Sequence, residues 1–258
     1  MLNYEDVENY FPESIRHHKK YILMEYFQYK ILNILFNLKY SGKIIFIGGT
    51  ALRIIYNTKR FSEDLDFDNF NLSLKEFSGA AYDVKKKLEL EGYDLNIETT
   101  NKKNTFHYII KIPRLLHDFN ITPHINQNLT IKVDIQPHDF KYKPEEKILN
   151  KFGVFTQINI APKDILLSQK IAALLGRKSP KGRDFYDVVF LFGITRPNYN
   201  YLQDKLKIKT LTELKDTLIE KCEKFDFKEL EQDIKPFLFD INDLIMIGDF
   251  KDYIKALN

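Results

Sequence analysis

Across residues 14–38, apolar side chains return every third or fourth position: Ile22, Leu23, Tyr26, Phe27, Ile31, Ile34, Leu35 and Leu38. That spacing predicts one long helix, ended by Ser41-Gly42. Residues 43–47 (KIIFI) then form a short unbroken apolar run, the pattern of a strand buried on both faces. Gly48-Gly49-Thr50 follows, and Ala51 to Tyr56 resumes helical character before Asn57. From Phe61 to Asp68 the period drops to two. This sets Asp64, Asp66 and Asp68 on one face of a strand and Leu65 and Phe67 on the other. A helix over 74–90 is expected next, then strands at 93–99, 105–112 and 130–135.

From Pro144 the character changes. Pro162-Lys163-Asp164 opens a helix with its proline in the tolerated first turn, a basic loop spans 176–182, and helix resumes at Asp184. The expected class is α+β: a mixed-sheet domain with an N-terminal helix over 1–145, then a mainly helical domain over 146–258. With 258 residues the chain is long enough for a sizeable core.

Composition narrows the class without naming it. The apolar fraction of 44% and charged fraction of 29% suit a globular protein. A net charge of +3 is too mild to argue for nucleic acid by itself. One cysteine, Cys222, excludes an intrachain disulfide framework and a cysteine zinc cluster, and is read as a small packed residue. No apolar run reaches the roughly 20 residues of a membrane span. The N-terminus carries acids where a signal peptide would carry bases, so a cytoplasmic protein without membrane association is expected.

Two features carry chemistry. A glycine pair after a buried strand lets backbone approach a ligand, and the following helix offers unpaired N–H groups suited to phosphate, with the Thr50 hydroxyl as a further donor. Alone, this pattern is more often a plain turn. Asp64 and Asp66 set two carboxylates side by side, costly without a cation between them. Alone, Asp-x-Asp is more often an exposed edge strand. Together they suit Mg²⁺, which binds a few carboxylates plus substrate phosphates. Asp134, inside the apolar run 131–135, reads as a third ligand or as a part-exposed strand residue. Later, Lys170, Arg183, Asp184 and Asp187 offer charges for a triphosphate or an acceptor. The histidines are scattered, and His107 and His138 read as structural or surface residues.

The segments IFIGGTALRIIY…RFSEDLDF and QKIAALLGRKSPKGRDFYDVVFL resemble the AbiEii/MenT group of the DNA polymerase β nucleotidyltransferase superfamily, over about residues 43–192. The resemblance implies a nucleotidyltransferase-type sheet and the toxin of a toxin–antitoxin or abortive-infection system. It assigns Gly48, Gly49 and Thr50 to the phosphate-contacting turn, and Asp64 and Asp66 to Mg²⁺ or Mn²⁺, with Asp134 as the more variable third carboxylate. Lys170 would contact the nucleotide triphosphate, helped by Arg183, and Asp184, favoured over Asp187, would be the functional acid. The implied reaction transfers a nucleotidyl group from a nucleoside triphosphate to a hydroxyl, such as the 3′ end of tRNA, with the loop 177–183 against RNA backbone. An antitoxin partner is implied as well.

Rival readings remain open. A haloacid-dehalogenase-type phosphatase would place its acids at the end of an apolar strand, but RFSE precedes them here. A glycosyltransferase would leave the Gly-Gly-Thr turn and RDFYD unused. An idle nucleotide- or RNA-binding member, or transfer to a protein acceptor, keeps most of the pattern.

Overall fold

The computed structural model describes residues 3–102 and 105–258. The chain divides into two compact units. One comprises Met1–Asn57 and Phe61–Ile160, the other Thr58–Arg60 and Ala161–Asn258.

The first unit runs α1 (Tyr4–Glu8), α2 (Lys19–Phe36), β1 (Ile44–Ile47), α3 (Gly48–Tyr56), β2 (Leu65–Asn69) and α4 (Leu74–Leu90), then β3 (Asn96–Lys102), β4 (Thr105–Ile112), α5 (Leu115–Asp118), β5 (Leu129–Pro137), β6 (Glu145–Lys151) and β7 (Val154–Ile160). Its seven strands form one mixed sheet in the order β3-β4-β5-β2-β1-β7-β6. β1 lies antiparallel to β2 and parallel to β7, and β2 is parallel to β5.

The patterning explains these elements. Ile44, Ile45 and Phe46 are all buried, as an interior strand requires. β4 and β5 instead bury alternate residues, so one face of each packs and the other is more open. The packed face receives α2, whose Phe36 ring lies 6.2 Å from that of Phe67 in β2. α4 spans the expected 74–90 because Ser73 and Glu76 close a reciprocal capping box at its start.

The helical part expected after Pro144 begins later, the second unit taking up at Ala161 and its first helix at Lys163. Residues 145–160 are a hairpin, β6 against β7. Its period of two is present, with Val154, Thr156, Ile158 and Ile160 buried on alternate positions. Its turn is disguised. Phe152 and Gly153 both take positive φ, 57° and 74°, as a type I′ connection demands. Phenylalanine is a poor fit to that backbone, and rings of Tyr10 and Tyr29 pack on it at 4.9 and 5.2 Å.

The second unit is helical: α6 (Lys163–Gly176), α7 (Gly182–Phe192), α8 (Tyr199–Leu206), α9 (Leu211–Cys222), α10 (Phe227–Ile234), α11 (Ile245–Gly248) and α12 (Phe250–Ala256). Phe185 of α7 centres its core, with the rings of Phe227 and Phe250 at 5.5 and 4.9 Å. Thr58–Arg60 joins this unit as a short strap. Arg60 bridges Leu238, and Phe239 N–H donates to the Lys59 carbonyl at 3.0 Å. Cys222 is fully buried, and burial pushes its thiol up to about 11. No helix among the described residues is long and apolar enough to cross a membrane.

Candidate active site

The glycine turn and the acidic strand meet in the first unit. Ile47, the last residue of β1, is the register partner of Asp66, so Gly48 follows directly beside that carboxylate. Gly48 has φ +81°, the left-handed region that glycine tolerates. A Cβ built on it would stand 2.2 Å from Asp66 Oδ2 and 2.8 Å from Asp66 Cβ. The space that any side chain would fill is therefore the space Asp66 uses, which brings the carboxylate against the head of α3.

The segment leading into β2 is anchored from two sides. Gln28, buried on α2, donates its amide N–H to the carbonyls of Ser62 and Glu63 at 2.9 and 3.0 Å. Thr50 donates its hydroxyl to the Asp64 carbonyl. Thr50, expected from sequence to face phosphate, is fully buried, and its hydroxyl is committed to holding Asp64 in place. Gly49 is buried with it. Asp64 and Asp66 are half-buried, while Leu65 and Phe67 between and after them are fully buried.

Asp134 stands in register with Asp66 on the parallel neighbour β5, and His107 stands in register with Asp134 on β4. His107 Nδ1–H donates to Asp134 Oδ1 at 2.7 Å. Alternation could have placed His107 on the open face of β4, but only the strand register sets it beside an acid. Asp68 continues the alternation into a buried position, where Tyr142 donates its hydroxyl to Oδ2 at 2.6 Å and His138 Nδ1 lies 3.2 Å from the same atom.

These residues suit a hard divalent cation. Their donors are carboxylate oxygens of half-buried residues, and Asp66 has room beside the turn only because Gly48 lacks a side chain. Among the described residues no group of three or more His, Cys, Asp or Glu forms a ready-made metal site. The expected trio of Asp64, Asp66 and Asp134 is thus not a closed cage, and substrate oxygens would have to complete the coordination, as is usual for Mg²⁺.

In the second unit Lys170, Asp184 and Asp187 fall into two separate ion pairs. Lys170 on α6 pairs with Asp187, not Asp184: its Nζ donates to Asp187 Oδ2 at 2.7 Å. Arg60 makes a fork on the same carboxylate, Nε to Oδ1 and Nη2 to Oδ2, both at 2.7 Å. Arg60 and Asp187 are almost wholly buried. Burial alone would raise the Asp187 pKa, but Arg60 and then Lys170 outweigh it and hold the group at about 2. Asp184, favoured from sequence, is spent on local structure. It accepts the Lys181 N–H at 2.9 Å, capping α7, and both its oxygens accept from Arg177 Nη1 at 2.6 and 2.5 Å. Arg183 is half-buried and makes no ion pair among the described residues.

Against known proteins, residues 30–256 match the family described as nucleotidyl transferase AbiEii toxin, type IV toxin–antitoxin system. The chain belongs to this family. It is therefore an AbiEii nucleotidyltransferase of the toxin class, and the family implies a nucleoside triphosphate substrate and an antitoxin partner. Two solved structures share the AbiEii chain's fold. A candidate nucleotidyltransferase from H. pylori aligns with TM-score 0.56 and 19% identity, covering 95% of this chain and 96% of its own. JHP933 from Helicobacter pylori aligns with TM-score 0.54 and 19% identity, covering 95% and 93%. No curated protein sequence matches the AbiEii chain.

Proposed function

We propose that this AbiEii protein transfers a nucleotidyl group from a nucleoside triphosphate to the 3′-terminal hydroxyl of tRNA, in a reaction that depends on a divalent cation. The packing of the Asp66 carboxylate against Gly48 carries the reading, because it joins an acid strand to a glycine turn at a helix N-terminus. Phosphate favours that terminus and cations favour those acids, so the two halves of a metal–triphosphate complex each have a complement.

Asp64 and Asp66 would hold Mg²⁺ or Mn²⁺, with Asp134 from the adjacent strand. Bound there, such a cation supplies charge neutralisation for the triphosphate and lowers the pKa of a coordinated hydroxyl. The α3 N–H groups orient the phosphates, and the Thr50 and Gln28 bonds keep Asp64 from moving as charge builds up. The acceptor hydroxyl gives up its proton to solvent as its oxygen forms a bond to the α-phosphorus, the bond to the bridging oxygen breaks, and pyrophosphate leaves with that electron pair. Positioning and electrostatics do most of the work in such transfers. Lys170 and Arg183 are read as triphosphate contacts by the family pattern. Asp187, which holds Lys170, replaces Asp184 as the acid that matters to it. Exposed Arg177, Lys178 and Lys181 supply cations for RNA backbone, and the protein is read as cytoplasmic.

The test is incubation with Mg²⁺, each labelled nucleoside triphosphate and total tRNA, beside Asp66→Asn. Label in RNA that the substitution removes is expected. Label on protein would overturn the tRNA acceptor, and no label on either would overturn the transfer reading in favour of a binding role.

A further inference from the structure

Residues facing each other across a ladder share a face of the sheet. Asp66, Asp134 and His107 are successive register partners on β2, β5 and β4, so they form one row on the face that α2 does not cover. Neighbouring strands lie about 4.8 Å apart, a spacing at which two directly opposed carboxylates destabilise a sheet. The row ends on His107, whose Nδ1–H takes Asp134 Oδ1 at 2.7 Å. Nothing in the packed core needs this imidazole. Its neighbours Phe106 and Tyr108 are buried on the other face, and the His107 side chain is itself 35% exposed.

One hydrogen bond of this kind fixes the rotation of a carboxylate and occupies one of its oxygens. Groups that orient a metal-binding carboxylate from behind are worth about 10–100-fold in metal affinity. We propose that His107 is a positioning residue of the cation site, gripping Asp134 by one oxygen so that the other serves beside Asp64 and Asp66. This rests on the metal-dependent reading given above.

The test is calorimetric titration of the nucleotide-free protein with Mn²⁺ alone. Wild type, Asp66→Asn, His107→Ala, His107→Asn, Asp134→Asn and the double variant His107→Ala with Asp134→Asn are compared, with thermal melts to establish that each is folded. Asparagine places an N–H donor where Nδ1 stands. His107→Ala is expected to weaken Mn²⁺ binding about 10–100-fold, His107→Asn to restore most of it, and His107→Ala to add no further loss once Asp134→Asn is present. Unchanged or tighter binding in His107→Ala, where Asp66→Asn still weakens it, would overturn the positioning role and leave the metal reading standing. Unchanged binding in Asp66→Asn would overturn the metal reading and the His107 role with it.

Discussion

Two groups of aspartates in this chain are solvated in opposite ways. On the sheet, Asp64 and Asp66 are half-buried neighbours, and Asp134 beside them is gripped by one histidine. In the helical unit, Asp187 has no exposure and takes three charged hydrogen bonds from Arg60 and Lys170. The first group keeps contact with solvent, while the second is sealed off and fully answered by fixed cations. A carboxylate that still meets solvent can turn an oxygen to a ligand. One already saturated by arginine and lysine is committed to holding its surroundings. The first group should therefore govern turnover and the second should govern stability.

The contrast breaks if Asp187 proves dispensable to folding. Asp187→Ala leaves Arg60 buried without its counter-charge, and breaking such a pair costs about 3–5 kcal/mol. Urea unfolding should show the midpoint falling by a matching amount. Next in size is Asp66→Asn, expected to lower nucleotidyl transfer about 10²–10³-fold, the range for removing one preorganised electrostatic group, with the urea midpoint almost unmoved. A large loss of stability there would merge the two groups into one class.

Lys170→Met sharpens the comparison within the buried group. Arg60 still covers both Asp187 oxygens in that variant, so the loss should lie near the 1.5–3 kcal/mol of a charged hydrogen bond. If the lysine also meets triphosphate, the KM for nucleotide rises beyond what that loss explains. The smallest expected effect is a pH dependence. The Asp187 pKa is depressed to about 2 in the folded protein, so its stabilisation is complete above the ordinary carboxylate range near 3.9. It is lost as pH falls toward 2. Unfolding followed between pH 5 and pH 2 should be steeper in wild type than in Asp187→Asn.

Much of this arrangement could be read from sequence wherever the signal was local. The Leu74–Leu90 helix and the Thr105–Ile112 strand stand at the bounds expected from sequence, and in the structure Ser73 and Glu76 cap the first while alternate burial marks the second. The contiguity of the Gly48 turn with the Asp66 strand followed from the order of blocks. What escaped depends on distance. His107 is 27 residues from Asp134, and only the pairing of β4 with β5 brings them together. Choosing between Asp184 and Asp187 required knowing that Arg60 reaches the second and that helix capping consumes the first. The β6–β7 hairpin was hidden because Phe152 sits where a turn usually carries asparagine or glycine.

The strap Thr58–Arg60 has a consequence for the order in which the protein can be made. Arg60 precedes Asp187 by 127 residues. At roughly 5–20 residues per second, a ribosome adds the second about 6–25 s after the first. Throughout that interval the guanidinium must stay hydrated, since burying it before its carboxylate exists would cost more than the early packing returns. The strap therefore cannot lock until Asp187 has been made, so a nascent chain carries its acid strand early and gains its buried ion pair late.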